Sequence, residues 1–400
     1  MKKKRILVFS SLFPSSKRPF AGLFIRQRMF RVAGKTDLSV VSPVPWFPGQ
    51  GLIRLFKPDY RPMPGPQETQ DGIPVSYPRF FSFPGLFRQM DARMMARACL
   101  PVIEQLHHQE KIDVIDSHFT YPDGLAATLI GRRLGIKVMI TLRGTEFPHS
   151  RDKERLPLLR RAWQDADHLV TVSSSLKQLA VSLGTDEAKV TVVGNGVDHR
   201  VFHPVDREEA RRQLGIDPAA KVLITVGGLV RRKGFHRVLK CIPDLAGEFP
   251  DLRYIIAGGA SAEGDEEAYL RRLAKELDIE RHVVFTGPVP PEKLKSPLSA
   301  ADLFVLASSN EGWANVILES MACGTPVLAT DVGGNAEVVC SENLGAIVPF
   351  QDRTALTKGL RRGLEKRWDR REIISYAEEN HWDRRVAQLT DIYDRLTQNG

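Results

Sequence analysis

The stretch Ser309-Asn-Glu-Gly-Trp-Ala-Asn-Val-Ile-Leu-Glu-Ser-Met-Ala-Cys-Gly-Thr-Pro-Val-Leu-Ala-Thr-Asp-Val-Gly-Gly334 reads as the end of a strand, a loop, a helix and a second strand. The run before it, 303–306, is short and continuously apolar, as a strand buried on both faces of a parallel sheet must be. Glu311 and Gly312 follow in the loop, and the spacing predicts a helix starting near Asn315. Gly324 stands where a helix C-cap is wanted, and Pro326 prevents continuation. A loop that leaves a parallel strand and feeds a helix offers free backbone N–H groups and the positive end of the helix dipole, which together form an anion site. Ligands of open α/β sheets bind there, outside the carboxyl ends of the strands. Gly312, Trp313, Ala314, Asn315 and Val316 are therefore candidate contacts to a phosphate. Glu319, one turn inside the helix, has the depth for a carboxylate that accepts two hydrogen bonds from a ribose diol.

Working outward, β-rich apolar runs alternate with helical patterns along the whole chain, which implies βα units in parallel sheets. The first series has expected strands at 5–10, 38–42, 114–117, 138–142, 169–172 and 190–193, with helical segments at 22–33, 123–134 and 174–183. A second series has expected strands at 222–226, 254–257, 283–286, 303–306, 327–330 and 346–348. Between them 195–204 is turn-rich, with Asn195-Gly196 and a terminal Pro204, and reads as an interdomain linker. The expected architecture is two doubly wound α/β domains facing across a cleft. The first covers 1–196 and is joined by a C-terminal helix over 382–397; the second covers 205–380. That last helix places Val386, Leu389, Ile392, Tyr393 and Leu396 on one face. Ten of the 26 prolines fall between Pro43 and Pro84, so this part should be irregular or hold only short edge strands. The run after it, 79–90, mixes Phe80, Phe81, Phe83 and Phe87 with Arg79 and Arg88. Its composition suits either an interfacial surface or a helix packed on the sheet.

The 400 residues are 42% hydrophobic and 26% charged, an ordinary globular composition that excludes disorder. No apolar run approaches the roughly 18 residues of a membrane-spanning helix. The start, Met1 to Arg5 followed by apolar residues, imitates a secretory leader, but the apolar run breaks at Ser10-Ser11 and meets Pro14 without a small-residue cleavage site, so a first buried strand is expected. Cys99, Cys241, Cys323 and Cys340 show neither C-x-x-C pairing nor clustered histidines, which suggests no zinc, no disulfide framework and a reducing cytoplasm. The net charge of +9 is uneven: residues 1–200 hold 30 Lys/Arg against 18 Asp/Glu, and 201–400 hold 27 against 30. A basic first half suggests an anionic partner, either an anionic membrane surface or a phosphorylated substrate, unless it is only a solvated surface. No nucleic-acid-binding signature accompanies it.

These motifs resemble the retaining glycosyltransferases of family four. The resemblance is carried by the Glu311/Glu319 spacing, Ala322-Cys-Gly-Thr-Pro-Val327, Val332-Gly-Gly334 with Glu337, Asn195-Gly-Val-Asp198 with Phe202 and Pro204, and Val226-Gly-Gly-Leu-Val-Arg-Arg-Lys-Gly234. It covers nearly the whole chain, least so 44–78. It implies the two-domain GT-B fold, a nucleotide-sugar donor linked to UDP or GDP, and a final helix that crosses back to the first domain. It further implies that Glu319 holds the nucleotide ribose, Glu311 lies beside the donor sugar and Lys233 neutralises the diphosphate. Breaking a sugar–diphosphate bond develops oxocarbenium character on the sugar and extra negative charge on the leaving group, which fixed cations stabilise. One departure is Gly228, where the family usually has Arg; Arg231 or Arg232 would have to substitute.

In the first domain the loop 13–22 resembles the family's loop after strand one, where a Gly permits close approach to donor phosphate or acceptor. Gly22 at the start of a helix suits this, because no Cβ obstructs an anion near the N-terminal amides. His118 ends the strand 114–117 and is either a structural histidine or a substrate contact. In Thr141-Leu-Arg-Gly-Thr-Glu146, Arg143 and Glu146 stand where many relatives have His and Asp. Arg holds anions in a fork and cannot serve as a base, so Arg143 is expected to orient the donor sugar or bind acceptor phosphate. The expected activity is metal-independent, retaining hexosyl transfer to a lipid-linked saccharide at the inner face of the cell membrane, for a surface polysaccharide. No cofactor is expected besides the donor. A nonhydrolysing sugar-nucleotide epimerase of the same fold and a non-enzymatic nucleotide-sugar binder are the alternatives.

Overall fold

Strand β1 (Arg5–Phe9) carries apolar residues on both faces, and both are covered in the computed structural model, which describes residues 3–56, 60–261 and 263–398. The chain forms two units, Met1–Gly194 with Asp383–Gly400, and Asn195–Trp382. In unit 1 the further strands are β2 (Asp37–Val41), β3 (Val44–Trp46), β4 (Gln67–Gln70), β5 (Ile73–Ser76), β6 (Arg79–Phe81), β7 (Val114–His118), β8 (Lys137–Leu142), β9 (His168–Thr171) and β10 (Val190–Val192). Eight of them form one sheet in the order β10-β9-β8-β7-β1-β2-β5-β4, parallel except for the edge strand β4. Helices α1 (Leu23–Val32), α2 (Gln50–Phe56), α3 (Asp91–Gln109), α4 (Leu125–Leu134) and α5 (Ser174–Ser182) accompany them. The C-terminal helix, Trp382–Gln398, lays Val386, Leu389, Ile392 and Tyr393 against Ile6, Val8, Ile25 and Met29 of unit 1. An amphipathic stripe at helical spacing thus finds its core nearly 400 residues from the strand that it covers.

Unit 2 is a six-stranded, wholly parallel sheet of β11 (Val222–Val226), β12 (Arg253–Ala257), β13 (Val283–Gly287), β14 (Leu303–Leu306), β15 (Val327–Thr330) and β16 (Gly345–Val348), in the order β13-β12-β11-β14-β15-β16. This is the doubly wound order, and its direction of winding reverses between β11 and β14. Helix α6 (Asn315–Ala322) follows β14, and Gly324, at φ +77°, lies just beyond it as its position in the sequence required.

The structure corrects three expectations. The segment 195–204, expected as an interdomain linker outside the second domain, is packed into unit 2: Val197 N–H donates to the Asn380 carbonyl at 3.2 Å, and Phe202 lies in the core of that unit. Turn-forming residues mark a break in periodicity, which does not show whether the loop is packed. The proline-rich region holds the short strands expected of it, but also the helix α2, and β3 pairs with β6 as a separate two-stranded sheet. Residues 79–90 form no helix packed on the sheet; strand β6 gives way to a loop and one short turn at Arg88–Met90.

Candidate active site

The carboxyl ends of β11 and β14 define the switch point of unit 2, and the loop after each brings one side of a charged cluster. After β11 comes a short turn, Arg231–Lys233, then Gly234 and the helix Phe235–Leu239. Gly234 has φ +79°, and a Cβ there would lie 1.9 Å from the Ala307 carbonyl oxygen, so the turn packs directly on the backbone that leaves β14. This contact brings Lys233 Nζ to 2.8 Å from Glu311 Oε1, with Arg232 Nη1 at 3.3 Å from the same oxygen. Arg232 also grips Glu263 through two nitrogens, at 2.6 and 2.9 Å, and donates to the Asn310 carbonyl at 3.0 Å. Arg231 is not part of the cluster. Its guanidinium lies over the Tyr269 ring at 5.0 Å, and its side chain is 58% exposed. Of the two arginines, only Arg232 reaches Glu311. At Gly228 a Cβ would meet Ser261 Cβ at 3.0 Å, so the neighbouring loop closes the space that a side chain would need.

Glu311 is buried, and with Glu263 on Arg232 the cluster of two cations and two carboxylates is balanced, so an anion that takes over Lys233 meets a cation already in place. The N-cap, Ala314, provides no side-chain acceptor, so the first-turn amides keep donors for an anion. The Trp313 indole N–H is buried without an acceptor, another spare donor beside the loop. Gly312 and Ala314 are buried and can act only through their backbone. Asn315 is different: its side-chain oxygen accepts from Asn195 Nδ2 at 2.7 Å, which fixes the Asn195-Gly turn and leaves the backbone for a ligand. Val316 is half-buried at the same turn. Glu319 is half-buried on α6, and burial pushes its carboxyl up to about 7, with Lys233 pulling the other way.

In unit 1 the winding reverses between β1 and β7, and the loops after β1, β7 and β8 meet. His118, at the end of β7, is wholly buried; its Nδ1 lies 3.2 Å from Arg143 Nε and 3.1 Å from Nη2. Burial first, then Arg143 and Arg28, hold the imidazole well below its usual pKa, so it is neutral. Nδ1 therefore accepts from Arg143 and the proton sits on Nε2, which has no hydrogen-bond partner and lies 4.0 Å from Asp116 Oδ1. Arg143 is 9% exposed, stacks over Phe24 at 5.1 Å and stays a cation even though burial lowers its pKa. Glu146 is engaged within the protein. Its oxygens accept from Thr120 N–H and Oγ and from the Arg143 and Gly144 amides, at 2.8–3.2 Å, so it ties the β7 and β8 loops together. Gly22, at φ +68°, is needed for another reason than the one expected: a Cβ would lie 2.1 Å from the Leu12 carbonyl oxygen, so the space beside it is taken by backbone rather than left for an anion.

Beneath this site the sequence offered no role for Asp116 or Arg28, and placed Tyr393 only on the apolar face of the last helix. Asp116 is buried and accepts from Tyr393 Oη at 2.6 Å and Thr141 Oγ1 at 3.3 Å. Arg28 is 0% exposed, with none of its guanidinium nitrogens hydrogen-bonded, and Asp116 is the leading opposite charge acting on it. Tyr393 comes from the C-terminal helix. The only available signal was a charged residue on the apolar stripe of α1 at Arg28 and a carboxylate inside the apolar run of β7. Tyr393→Phe is expected to lower unfolding stability by about 1–3 kcal/mol, because Asp116 then stays buried with a weaker set of donors. Urea unfolding of the two proteins measures it, and equal midpoints and slopes would refute the role of the hydroxyl.

Two Rossmann-like units, the second with two cations and a glutamate at its switch point, are the architecture of the GT-B class. Residues 206–380 match the family model described as glycosyl transferases group 1, and residues 53–201 match that of glycosyltransferase family 4. The chain belongs to this family of glycosyltransferases. It is 30% identical over 337 residues to the putative teichuronic acid biosynthesis glycosyltransferase TuaC of Bacillus subtilis, covering 82% of each chain. It is 32% identical over 373 residues to the D-inositol 3-phosphate glycosyltransferase of Corynebacterium urealyticum, covering 86% of each. Among solved structures, sucrose-phosphate synthase from Thermosynechococcus elongatus shares the fold at a TM-score of 0.80 and 20% identity over the full length of both chains. Anabaena Alr3699/HepE in complex with UDP does so at 0.74 and 18%, covering 98% of this chain and all of the other.

Proposed function

We propose that this glycosyltransferase moves a hexosyl unit from a UDP- or GDP-sugar, with retention and without a metal, to a lipid-linked saccharide at the cytoplasmic face of a membrane. The observation that carries the donor reading is the Lys233–Glu311–Arg232 cluster at the switch point, beside an uncapped helix start with Glu319 one turn inside. In this reading Lys233 and Arg232, held in place by Glu311, meet the diphosphate as it enters, and the first-turn amides of α6 complete its hydrogen bonds. As the sugar–oxygen bond breaks, the leaving diphosphate gains charge in a field of fixed cations, which need little reorganisation. Glu319 accepts from the ribose hydroxyls, and Arg143, held by His118, offers a forked donor to sugar or acceptor phosphate. The HepE complexes with UDP and with UDP-glucose support a nucleotide-sugar donor, and the relative named for teichuronic acid biosynthesis supports a saccharide product.

Calorimetry against a panel of UDP- and GDP-sugars tests the donor: one base should bind clearly more tightly, and Glu319→Ala should remove most of that affinity. Binding of no nucleotide sugar by the native chain would overturn the reading. Among the described residues no group of three His, Cys, Asp or Glu side chains could hold a metal ion. Turnover is accordingly expected to survive EDTA, and a complete loss restored by Mg²⁺ or Mn²⁺ would contradict metal independence.

A further inference from the structure

All eleven large hydrophobic side chains that are exposed among the described residues lie between residues 20 and 90 of unit 1, and ten of them between 46 and 90. Two segments carry these ten, and they form one surface. Strand β3 pairs with β6, Ser82 N–H donates to the Trp46 carbonyl at 2.9 Å, the Phe47 and Phe83 rings lie 5.0 Å apart, and Arg61 Nη1 donates to the Ser82 carbonyl at 2.8 Å. On α2, Leu52, Leu55 and Phe56 are 68, 75 and 87% exposed, and on the loop after β6 Leu86 and Phe87 are 54 and 68% exposed. Gln50 is the only buried residue of α2. Seven residues make a marginal helix in water unless a face is buried, and this one buries almost nothing apolar in its own unit. Phe80, which the composition grouped with this surface, turns inward at 4% exposure.

The charge around the patch identifies what covers it. Arg79, Arg88, Arg93 and Arg97 are exposed, and among the described residues none of the four is in an ion pair. Residues 46–97 hold seven Lys/Arg against four Asp/Glu. An apolar wedge rimmed by unpaired cations matches the boundary layer of a bilayer with anionic headgroups, where aromatic and leucyl side chains enter and arginines meet phosphates. We infer that α2 and the loop 82–90 are the element by which this chain docks on an anionic membrane, Leu52, Leu55, Phe56, Leu86 and Phe87 inserting. This rests on the reading of a lipid-borne acceptor for its purpose, but not for its physical evidence.

Co-sedimentation without donor or acceptor tests it, with phosphatidylglycerol-containing vesicles against pure phosphatidylcholine. The native chain should bind the first and not the second, and binding should weaken when salt shortens the screening length from about 10 Å to about 3 Å. Leu55→Ser with Phe56→Ser, and separately Leu86→Ser with Phe87→Ser, should each reduce partitioning by more than about tenfold. Arg88→Glu with Arg93→Glu should reduce it by at least about fivefold per arginine removed. Unchanged melting and nucleotide-sugar binding in the variants keep misfolding apart from loss of docking. Binding of neither vesicle, equal binding of both, or serine variants that sediment as the native chain does would overturn the inference. So would self-association that the serine substitutions disperse in the absence of vesicle binding, since the patch would then serve a second copy. If the native chain docks but glycosylates no lipid-linked saccharide, the acceptor reading fails while the docking surface stands; if it glycosylates one without docking, the reverse holds.

Discussion

Replacing Lys233 by Met is expected to lower kcat by about 10²- to 10³-fold, or roughly 3–4 kcal/mol of transition-state stabilisation, with a smaller effect on KM. The expectation follows from position. Lys233 is held on a turn that packs against the backbone leaving β14, and its ammonium sits 2.8 Å from a buried carboxylate, so its place is fixed before the donor arrives. A fixed cation acts more strongly on charge that develops during bond breaking than on charge already present in the ground state. Removing it also leaves Glu311 with Arg232 alone, a guanidinium that Glu263 already neutralises, so the cluster becomes net negative and repels an incoming diphosphate. The double variant Lys233→Met with Glu311→Gln separates the two effects, since it restores neutrality without restoring the cation. A loss of kcat below about fivefold in Lys233→Met would remove this lysine from the chemistry.

Donor affinity should follow the ionisation of Glu319. Its carboxyl stands at about 7 in the free protein, so it is half-protonated near neutrality, whereas a ribose diol donates best to the charged form. Ligand binding then competes with a proton: between pH 8 and pH 6 the affinity for an intact nucleotide sugar should fall by about tenfold. An intact nucleotide sugar is the proper probe, because a free nucleoside diphosphate loses its own charge in the same range. Glu319→Gln should bind about 5- to 150-fold more weakly, the equivalent of roughly 1–3 kcal/mol, and with a flat pH profile. A native profile that is equally flat would show that the carboxylate does not face the ligand. The same shift has a consequence for folding. A carboxyl raised in the folded state gives stability that is present at low pH and is lost as pH rises from about 4, the unfolded value, through about 7. Bound donor should therefore protect the chain from unfolding most above neutrality.

The charged cluster at the switch point of unit 2 was legible because its signals are local. The β14 run, Glu311, Gly324 and Pro326 lie within one βα unit, and strand, loop and helix each have a period or a stop signal of their own. Lys233 could be assigned to the same site because both loops must leave the carboxyl ends of a parallel sheet. The choice between Arg231 and Arg232 could not be made, since adjacent residues on a short turn point in different directions and their partners, Tyr269 and Glu263, come from beyond the next strand. In unit 1 the motif around Arg143 gave Glu146 no role; it satisfies four backbone and hydroxyl donors, a fact that only the meeting of two loops reveals. The helix α2 was hidden in a stretch whose ten prolines argued against any regular element.

Unit 1 is discontinuous in sequence, and this sets an order of events during synthesis. Unit 2 is one unbroken stretch and can close as soon as it has left the ribosome. Unit 1 emerges first, yet its core lacks Val386, Leu389, Ile392 and Tyr393 until the helix after unit 2 has been made. During that interval Asp116 waits without the hydroxyl that satisfies it, close to a guanidinium that has no hydrogen bond at all. The half made first is therefore the half finished last, and a chain cut before residue 386 would keep the whole of unit 2 and leave the core of unit 1 open on the face that this helix covers.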